Sequence, residues 1–254
     1  MAILNKIFKR SLEENNNPSR VEKMLEVHPH EVSPWRIFKI MSEFVTGFEF
    51  LRLHEGKKAV TVFGSSRYKG EHPIYQEAVK LTYKLSKAGF TIITGGGGGI
   101  MEAGNKGAYD AQGRSLGLGI HLPLEQRINR YVKESETFHY FFTRKVMLAF
   151  ASEVYVFFPG GFGTLDELFE IVTLVQTEKI GSAPIVLIGK DFWQPLLDWI
   201  KESVYKKSGA VDEVDTRIYT LVDNADEPRP RLVAVNLNPI APYDCGRALV
   251  SLRE

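Results

Sequence analysis

Residues 154–167 read VYVFFPGGFGTLDE, and their order indicates a strand followed by a turn and a helix. The first five residues are all apolar, which is typical of a parallel strand buried on both faces. Pro159 and three glycines then form a turn, and Thr164 begins a segment with the apolar spacing of a helix. This combination is the repeating unit of α/β proteins, which bind ligands where such strands end.

The same alternation continues on both sides of this stretch. Strand-like runs occur at 59–63, 90–93, 115–120 and 184–188, between helical patterns at 73–88, 100–112, 145–150, 164–177 and 192–207. The alternation predicts an α/β fold: a Rossmann-like, doubly wound parallel sheet with helices on both faces. Residues 217–222 and 231–235 can each add a further strand.

The chain of 254 residues is longer than this core requires, and the pattern divides it into three segments. Residues 1–56 are an N-terminal extension that contains an amphipathic helix over 34–53. Residues 57–223 are the Rossmann-like, nucleotide-binding catalytic domain, and residues 224–254 are a C-terminal tail.

Composition excludes several classes of protein. The 32 basic and 31 acidic residues leave a net charge of +1, whereas general nucleic-acid binders carry a basic surplus. We therefore expect no nucleic-acid partner. The chain has one cysteine and no run of 18 apolar residues, so we expect a cytoplasmic protein without a membrane partner. A small anionic ligand is compatible with this balance, because a pocket can be positive on a neutral protein.

Two glycine-rich loops mark the expected ligand edge. Gly95–Gly99 follow one strand, residues 159–163 follow another, and each loop precedes a helix N-terminus. Free N–H groups and the helix dipole favour an anion there, with phosphate as the candidate. Neither loop matches a dinucleotide fingerprint or a P-loop. Glycine runs also serve tight turns, but five in succession favour a backbone that approaches a ligand.

Thr164 and Glu167 allow two interpretations. Their spacing matches a capping box, in which both side chains only satisfy N–H groups at the start of the helix. Alternatively, the Glu167 carboxylate lies at the ligand edge and takes part in chemistry. We favour the second interpretation because of its position beside the glycine loop.

Four motifs occur in a fixed order: Gly64-Ser65-Ser66-Arg67, TGGGGGIM at 94–101, Thr143-Arg144-Lys145 and PGGFGTLDE at 159–167. Together they resemble the LONELY GUY family of cytokinin riboside 5′-monophosphate phosphoribohydrolases over roughly residues 57–208. The loop at 95–101 is one residue shorter than the plant form and is closer to the longer bacterial branch. Many bacterial relatives carry the older label lysine decarboxylase.

The resemblance implies hydrolysis of the N-glycosidic bond of a nucleoside 5′-monophosphate, with Glu167 and Arg144 as catalytic residues. Glu167 would stabilise an oxocarbenium-like transition state, and Arg144 would anchor the substrate and keep Glu167 ionised. The implied substrate-binding residues are Gly160, Gly161, Gly163, Thr164, Lys145, Asp166, Gly96, Gly97, Met101, Glu125 and Ser65. AMP and a cytokinin riboside 5′-monophosphate are equally compatible with the motifs.

The reaction requires no metal and no cofactor, and the family resemblance implies a homodimer. Decarboxylation of an amino acid would need pyridoxal phosphate on a Schiff-base lysine, and no motif identifies such a lysine. The alternative function is a non-catalytic carrier of a nucleotide or cofactor on the same fold, which would keep the glycine loops without needing the carboxylate.

Overall fold

Seven parallel strands form a single sheet in the computed structural model, which describes residues 34–121, 128–181 and 183–225. The strands are β1 (Ala59–Phe63), β2 (Thr91–Thr94), β3 (Ser115–Ile120), β4 (Glu134–Phe138), β5 (Val154–Phe157), β6 (Ile185–Ile188) and β7 (Tyr219–Val222). Their order in the sheet is β4-β3-β2-β1-β5-β6-β7. This order confirms the predicted doubly wound sheet.

Helices connect the strands and cover both faces of the sheet. They are α1 (Pro34–Arg52), α2 (Pro73–Lys87), α3 (Ile100–Asp110), α4 (Phe141–Phe150), α5 (Phe162–Gln176) and α6 (Lys190–Trp199), with a π-helical turn (Ile200–Lys207) and a 3-10 turn (Val214–Arg217). Val60 and Val62 belong to one core cluster with residues of α2 and α3. Phe63 belongs to the other, with residues of α4, α5 and α6, because successive side chains alternate between the faces.

The chain divides into two units, Met1–Ser42 and Glu43–Glu254. In the first unit the structure describes residues 34–42, which form the first half of α1 and bring the rings of Trp35 and Phe38 to 5.9 Å. The second unit contains the sheet. The predicted helix over 34–53 is therefore present, while the proposed boundaries at 56 and 223 stay predictions.

Two elements differ from the sequence prediction. Strand β4 was missed because its sequence, ESETF, has no apolar run; it is an edge strand with mostly exposed side chains. Helix α4 begins at Phe141, four residues before the predicted start at Lys145, because the aromatic residues Phe141 and Phe142 in its first turn do not show the apolar spacing of an amphipathic helix. The possible strand at 231–235 lies outside the described residues.

The topology creates a crevice between β1 and β5. These strands are neighbours, with Val60 paired to Val154, yet the chain leaves them towards opposite edges of the sheet. Ligands of doubly wound proteins bind at this switch point, beyond the carboxyl ends of the strands. Across the described residues, no helix is long and apolar enough to cross a lipid bilayer.

Candidate active site

The loops that follow β1, β2 and β5 meet at the switch point. The Ser65 N–H donates to the Pro159 carbonyl over 3.1 Å, which joins the β1 and β5 loops. The Ser65 carbonyl accepts from the Ile100 N–H over 2.9 Å, which joins the β1 loop to the start of α3. The backbone of Ser65 therefore connects both glycine-rich loops.

Three polar side chains hold the glycine loop that follows β2. The Asn129 amide donates to the carbonyls of Gly96 and Gly97 at 3.1 and 3.0 Å, and lies 2.9 Å from Asn105 Oδ1. The Thr94 hydroxyl donates to the same Asn105 oxygen, and accepts from the Gly96 N–H. Sequence reasoning missed this network, because a lone asparagine in a loop gives no signal of its partner.

Close packing and backbone conformation require glycine at several positions of this loop. A Cβ on Gly95 would lie 2.1 Å from Nη2 of Arg144 and 2.8 Å from Sδ of Met101, so only glycine admits these side chains. Gly96 and Gly99 have φ of +72° and +67°, which L side chains rarely adopt. Approach to a ligand is therefore not needed to explain every glycine of the run.

The start of α5 excludes the capping-box interpretation. Helix α5 begins at Phe162 with Gly161 as its N-cap, and makes no side-chain cap bond among the described residues. Thr164 and Glu167 consequently lie inside the helix, beyond the positions that a capping box requires. The Thr164 side chain is buried, and a Cβ on Gly160 would lie 2.1 Å from its hydroxyl.

The next two glycines of this loop leave its backbone accessible. A Cβ on Gly161 or Gly163 would meet open space among the described residues. Their N–H groups stand at the N-terminus of α5, where the helix dipole attracts an anion. Gly161 and Gly163 thus lie in open space at the start of α5, whereas Gly160 is packed against Thr164.

Arg144 lies beneath the glycine loop. Its Nε donates to the Leu118 carbonyl over 2.8 Å, and its guanidinium is in close contact with Gly95. Burial lowers the pKa of Arg144, while the negative charge of Glu167 raises it. These contacts place Arg144 at the ligand edge, close to Met101.

Lys145 is surrounded by carboxylates of α5. Its Nζ lies 2.7 Å from Asp166, 3.4 Å from Glu167 and 3.0 Å from Glu170. Glu170 was not among the expected site residues, although its spacing of three from Glu167 places both on one helix face. The lysine therefore joins α4 to α5 and brings three carboxylates together.

Burial dominates the protonation of Glu167. The side chain is 10% exposed, and burial raises its pKa to about 7, with a further increase from Glu170. The positive charges of Lys145 and Arg144 lower the pKa but do not restore its ordinary value. Arg144 thus favours the ionised form of Glu167, but desolvation outweighs this charge pairing and leaves the pKa raised.

A small cleft opens at the β2 loop, next to Gly95, which Arg144 contacts. Its lining residues come from the β2 loop, from the ends of β3 and β4 and from the connection between these strands: Gly95, Gly96, Gly97, Gly119, Ile120, Ile128 and Thr137. The predicted Gly96 and Gly97 are therefore part of its wall. Glu125 lies outside the described residues.

The chain is similar to a known protein family and to several known sequences. A family model described as "Possible lysine decarboxylase" matches residues 101–231. A rice protein named probable cytokinin riboside 5′-monophosphate phosphoribohydrolase is 31% identical over 177 residues, covering 67% of this chain and 69% of the relative. An Arabidopsis thaliana protein of the same name is 30% identical over 167 residues, covering 59% and 81%. The chain belongs to the LONELY GUY family.

Solved structures support the fold of this LONELY GUY family member. A molybdenum cofactor binding protein from Rippkaea orientalis matches with a TM-score of 0.50 at 18% identity, covering 67% of this chain and 92% of that one. The molybdenum cofactor carrier protein of Chlamydomonas reinhardtii matches with a TM-score of 0.50 at 20% identity, covering 66% and 91%. At this identity the likeness shows a shared fold alone.

The lysine decarboxylase description implies pyridoxal phosphate, and Lys145 does not fit that group. A Schiff-base lysine must be a neutral nucleophile, and its pKa is usually lowered. Burial lowers the pKa of Lys145, but Asp166, Glu170 and Glu167 raise it above its ordinary value. In this LONELY GUY family member Lys145 is a charged ammonium that organises carboxylates.

Proposed function

We propose that the protein hydrolyses the N-glycosidic bond of a nucleoside 5′-monophosphate, with release of the free base and ribose 5-phosphate. One observation carries the proposal: a buried carboxyl, Glu167, lies beside Arg144 at the ligand edge and has a pKa raised to about 7. Its relatives are named phosphoribohydrolases, which agrees with this reaction class. AMP and a cytokinin riboside 5′-monophosphate are both candidate substrates.

The carboxylate of Glu167 has two tasks in this scheme. As the bond from ribose C1′ to the base breaks, positive charge develops on the sugar, and the carboxylate stabilises it. The carboxylate also orients the water whose oxygen bonds to C1′. The water gives up a proton, the departing base takes one, and ribose 5-phosphate remains.

Two groups would hold the rest of the substrate. The N–H groups of Gly161 and Gly163 at the start of α5 can bind the phosphate, because a helix N-terminus attracts anions. Arg144 can bind the ribose or the phosphate from beneath the β2 loop. Lys145 is engaged with Asp166, Glu167 and Glu170, so we assign it to the orientation of these carboxylates.

Chromatography of products tests the reaction directly. Wild-type protein is incubated with prenylated AMP, AMP, GMP, CMP and IMP, and free base is quantified. We expect release from an adenine nucleotide, and a loss of roughly 100-fold or more in kcat for Glu167→Gln, the scale of a lost transition-state contact. Glu202→Gln, a surface change on the π-helical turn, is the matched control. A wild-type rate in Glu167→Gln would exclude the mechanism.

A carrier of a nucleotide or cofactor is the second candidate. Two solved structures with TM-scores of 0.50 are a molybdenum cofactor binding protein and a molybdenum cofactor carrier protein. A carrier needs the glycine loops but no carboxylate at C1′. Binding of AMP by wild type without any release of adenine would favour this function.

We also propose a cytoplasmic homodimer. The two helices that contribute Lys145 and its three carboxylates also carry exposed aromatic side chains, namely Phe141 and Phe142 on α4 and Phe162 and Phe169 on α5. Aromatic side chains are enriched in interfaces between protein subunits. These residues are the candidate contact surface for a second copy.

A further inference from the structure

Glu43 of helix α1 contacts the beginning of helix α4. Its carboxylate accepts from the backbone N–H of His139 over 2.7 Å, from the N–H of Tyr140 over 3.2 Å and from the Thr143 hydroxyl over 2.6 Å. The side chain is 14% exposed. These contacts tie residue 43 to a segment about a hundred positions later in the chain.

The Glu43 carboxylate caps the N-terminus of helix α4 from outside that helix. Tyr140 is the N-cap and makes no side-chain cap bond among the described residues. In a capping box, a glutamate of the same helix accepts from the N–H of the N-cap residue. Glu43 performs this task from another helix, and its negative charge lies at the positive end of the α4 dipole.

The ionisation of Glu43 suits this role. Burial raises the pKa of Glu43, but the hydrogen bonds from Thr143, His139 and Tyr140 together lower it by more. The net pKa is therefore below the ordinary value. The ring of His139 is the facing titratable group, with Nδ1 3.2 Å from the carboxylate. The carboxylate is therefore charged at neutral pH.

A second contact one turn along α1 fixes the same helix. A Cβ on Gly47 would lie 2.6 Å from Sδ of Met147 and 3.0 Å from Phe138, so the backbone of α1 packs directly against α4 and β4. Residues 43 and 47 of α1 thus meet residues 143 and 147 of α4. Two contacts with the same spacing of four fix both the position and the rotation of α4.

Helix α4 carries Arg144 and Lys145 immediately after Thr143. We propose that Glu43 is a positioning residue that sets the placement of these two cations in the active site. The inference rests on the proposed function, because Arg144 and Lys145 act there on the substrate and on Glu167. A displacement of about 1 Å at such a group can lower a rate by roughly 100-fold.

Kinetics of Glu43→Ala test the proposal, with Glu49→Ala as the matched control. Glu49 is an exposed residue of the same helix, paired with Arg52. At a temperature where all variants are folded, we expect Glu43→Ala to lower kcat for base release at least tenfold and to raise KM. Glu43→Asp should recover part of the loss, and Glu49→Ala should match wild type. A lowered Tm with unchanged kcat and KM would show a merely structural role and overturn the proposal.

A double-mutant cycle separates positioning from independent catalysis. If Glu43 acts through Arg144, then adding Glu43→Ala to Arg144→Ala causes little further loss of activity. If the double mutant instead loses activity by the product of the two single-mutant factors, the residues act independently and the proposal is overturned. Should Glu43→Ala fail to fold, Thr143→Val removes one hydrogen bond to the carboxylate and enters the same cycle with the same two outcomes.

A readout without substrate distinguishes failure of this inference from failure of the proposed function. The midpoint of the Glu167 titration can be followed by carboxyl ¹³C NMR in the unliganded protein. We expect Glu43→Ala to raise this midpoint, because Lys145 withdraws from Glu167, and Glu49→Ala to leave it unchanged. If wild type releases no base but the midpoint rises, the proposed function fails and the positioning inference holds. An unchanged midpoint overturns the inference.

Discussion

Glu167 is a residue at which two electrostatic effects oppose each other. Removal from water favours the protonated acid, and the neighbouring Lys145 and Arg144 favour the carboxylate. Burial prevails, and the pKa of about 7 leaves the group partly ionised in neutral solution. Glu170 adds to the effect of burial, because two carboxyl groups that share one ammonium repel each other when both are charged.

This balance predicts the pH dependence of catalysis. Because the carboxylate is the active form in the proposed mechanism, kcat/KM for base release should rise with pH to a plateau, with a midpoint near pH 7. Initial rates measured from pH 5 to pH 9 at low substrate concentration give this profile. A profile that is flat over the whole range would contradict it.

Changing Glu170 tests the origin of the shift. Glu170→Gln removes a negative charge that raises the pKa of Glu167, so the rising part of the profile should move to lower pH. Lys145→Met removes a positive charge that lowers this pKa, so the rise should move to higher pH. Shifts of both variants in the same direction would be inconsistent with these assignments.

The same carboxyl should reduce the stability of the fold at neutral pH. Its pKa in the folded protein lies above the ordinary value of 4.5, so stability falls as pH rises from about 4.5 to about 7. Glutamine has no charge to bury. The free energy of unfolding of Glu167→Gln, taken relative to wild type, should therefore be about 2–3 kcal/mol larger at pH 8 than at pH 5. One pKa unit corresponds to about 1.4 kcal/mol.

Urea denaturation at pH 5 and pH 8 measures this difference. Glu202→Gln removes an exposed surface pair with Lys206 and should change the free energy of unfolding by less than about 1 kcal/mol at either pH. An equal effect of Glu167→Gln at both pH values would mean that its buried charge is not destabilising.

At the scale of elements, the sequence predicted what has a regular pattern and missed what depends on contacts across the chain. Apolar runs located β1, β2, β3, β5 and β6, since buried parallel strands are almost entirely apolar. The polar edge strand β4 has no such run. The roles of Glu43 and Asn129 depend on partners that are distant in sequence, and no local sequence pattern predicts these contacts.

The support of the β2 loop gives a prediction at this scale. Asn129→Ala removes the donor of the carbonyls of Gly96 and Gly97, and leaving such acceptors unsatisfied costs roughly 1–3 kcal/mol. We expect lower stability in urea and a raised KM. Gln76→Ala, which removes an exposed side-chain bond to Gly70, is the control and should leave KM unchanged. Unchanged KM in Asn129→Ala would separate this loop from substrate binding.

For the whole molecule, the sequence predicted the sheet topology more completely than the geometry of the site. Alternating strands and helices permit few arrangements when crossovers are right-handed, and the doubly wound sheet is among them. The four motifs then located Arg144 and Glu167 at one edge. The sequence could not give the burial of Glu167, because burial depends on how α4 and α5 pack.

The proposed homodimer gives a test at this scale. Sedimentation velocity of wild type should yield about twice the mass of the chain. Phe169→Glu places a charge on the exposed aromatic surface of α5 and should shift the protein towards monomer. Phe192→Glu on α6 is the matched control, because both phenylalanines are 41% exposed. Dissociation by both variants, or by neither, would argue against this surface.

The neighbouring positions of β1 and β5 in the sheet also affect how the protein is made. The Ala59 N–H donates to the Glu153 carboxylate across 94 positions, and the pairing of these strands begins at the same point. Because β5 follows β2 by about 60 positions, the edge of β1 that faces β5 cannot be paired until that later part of the chain has been made. An open apolar edge recruits other strands. We therefore expect truncated chains that end before β5 to aggregate, because they lack both the strand that covers this edge and the loop that meets Ser65.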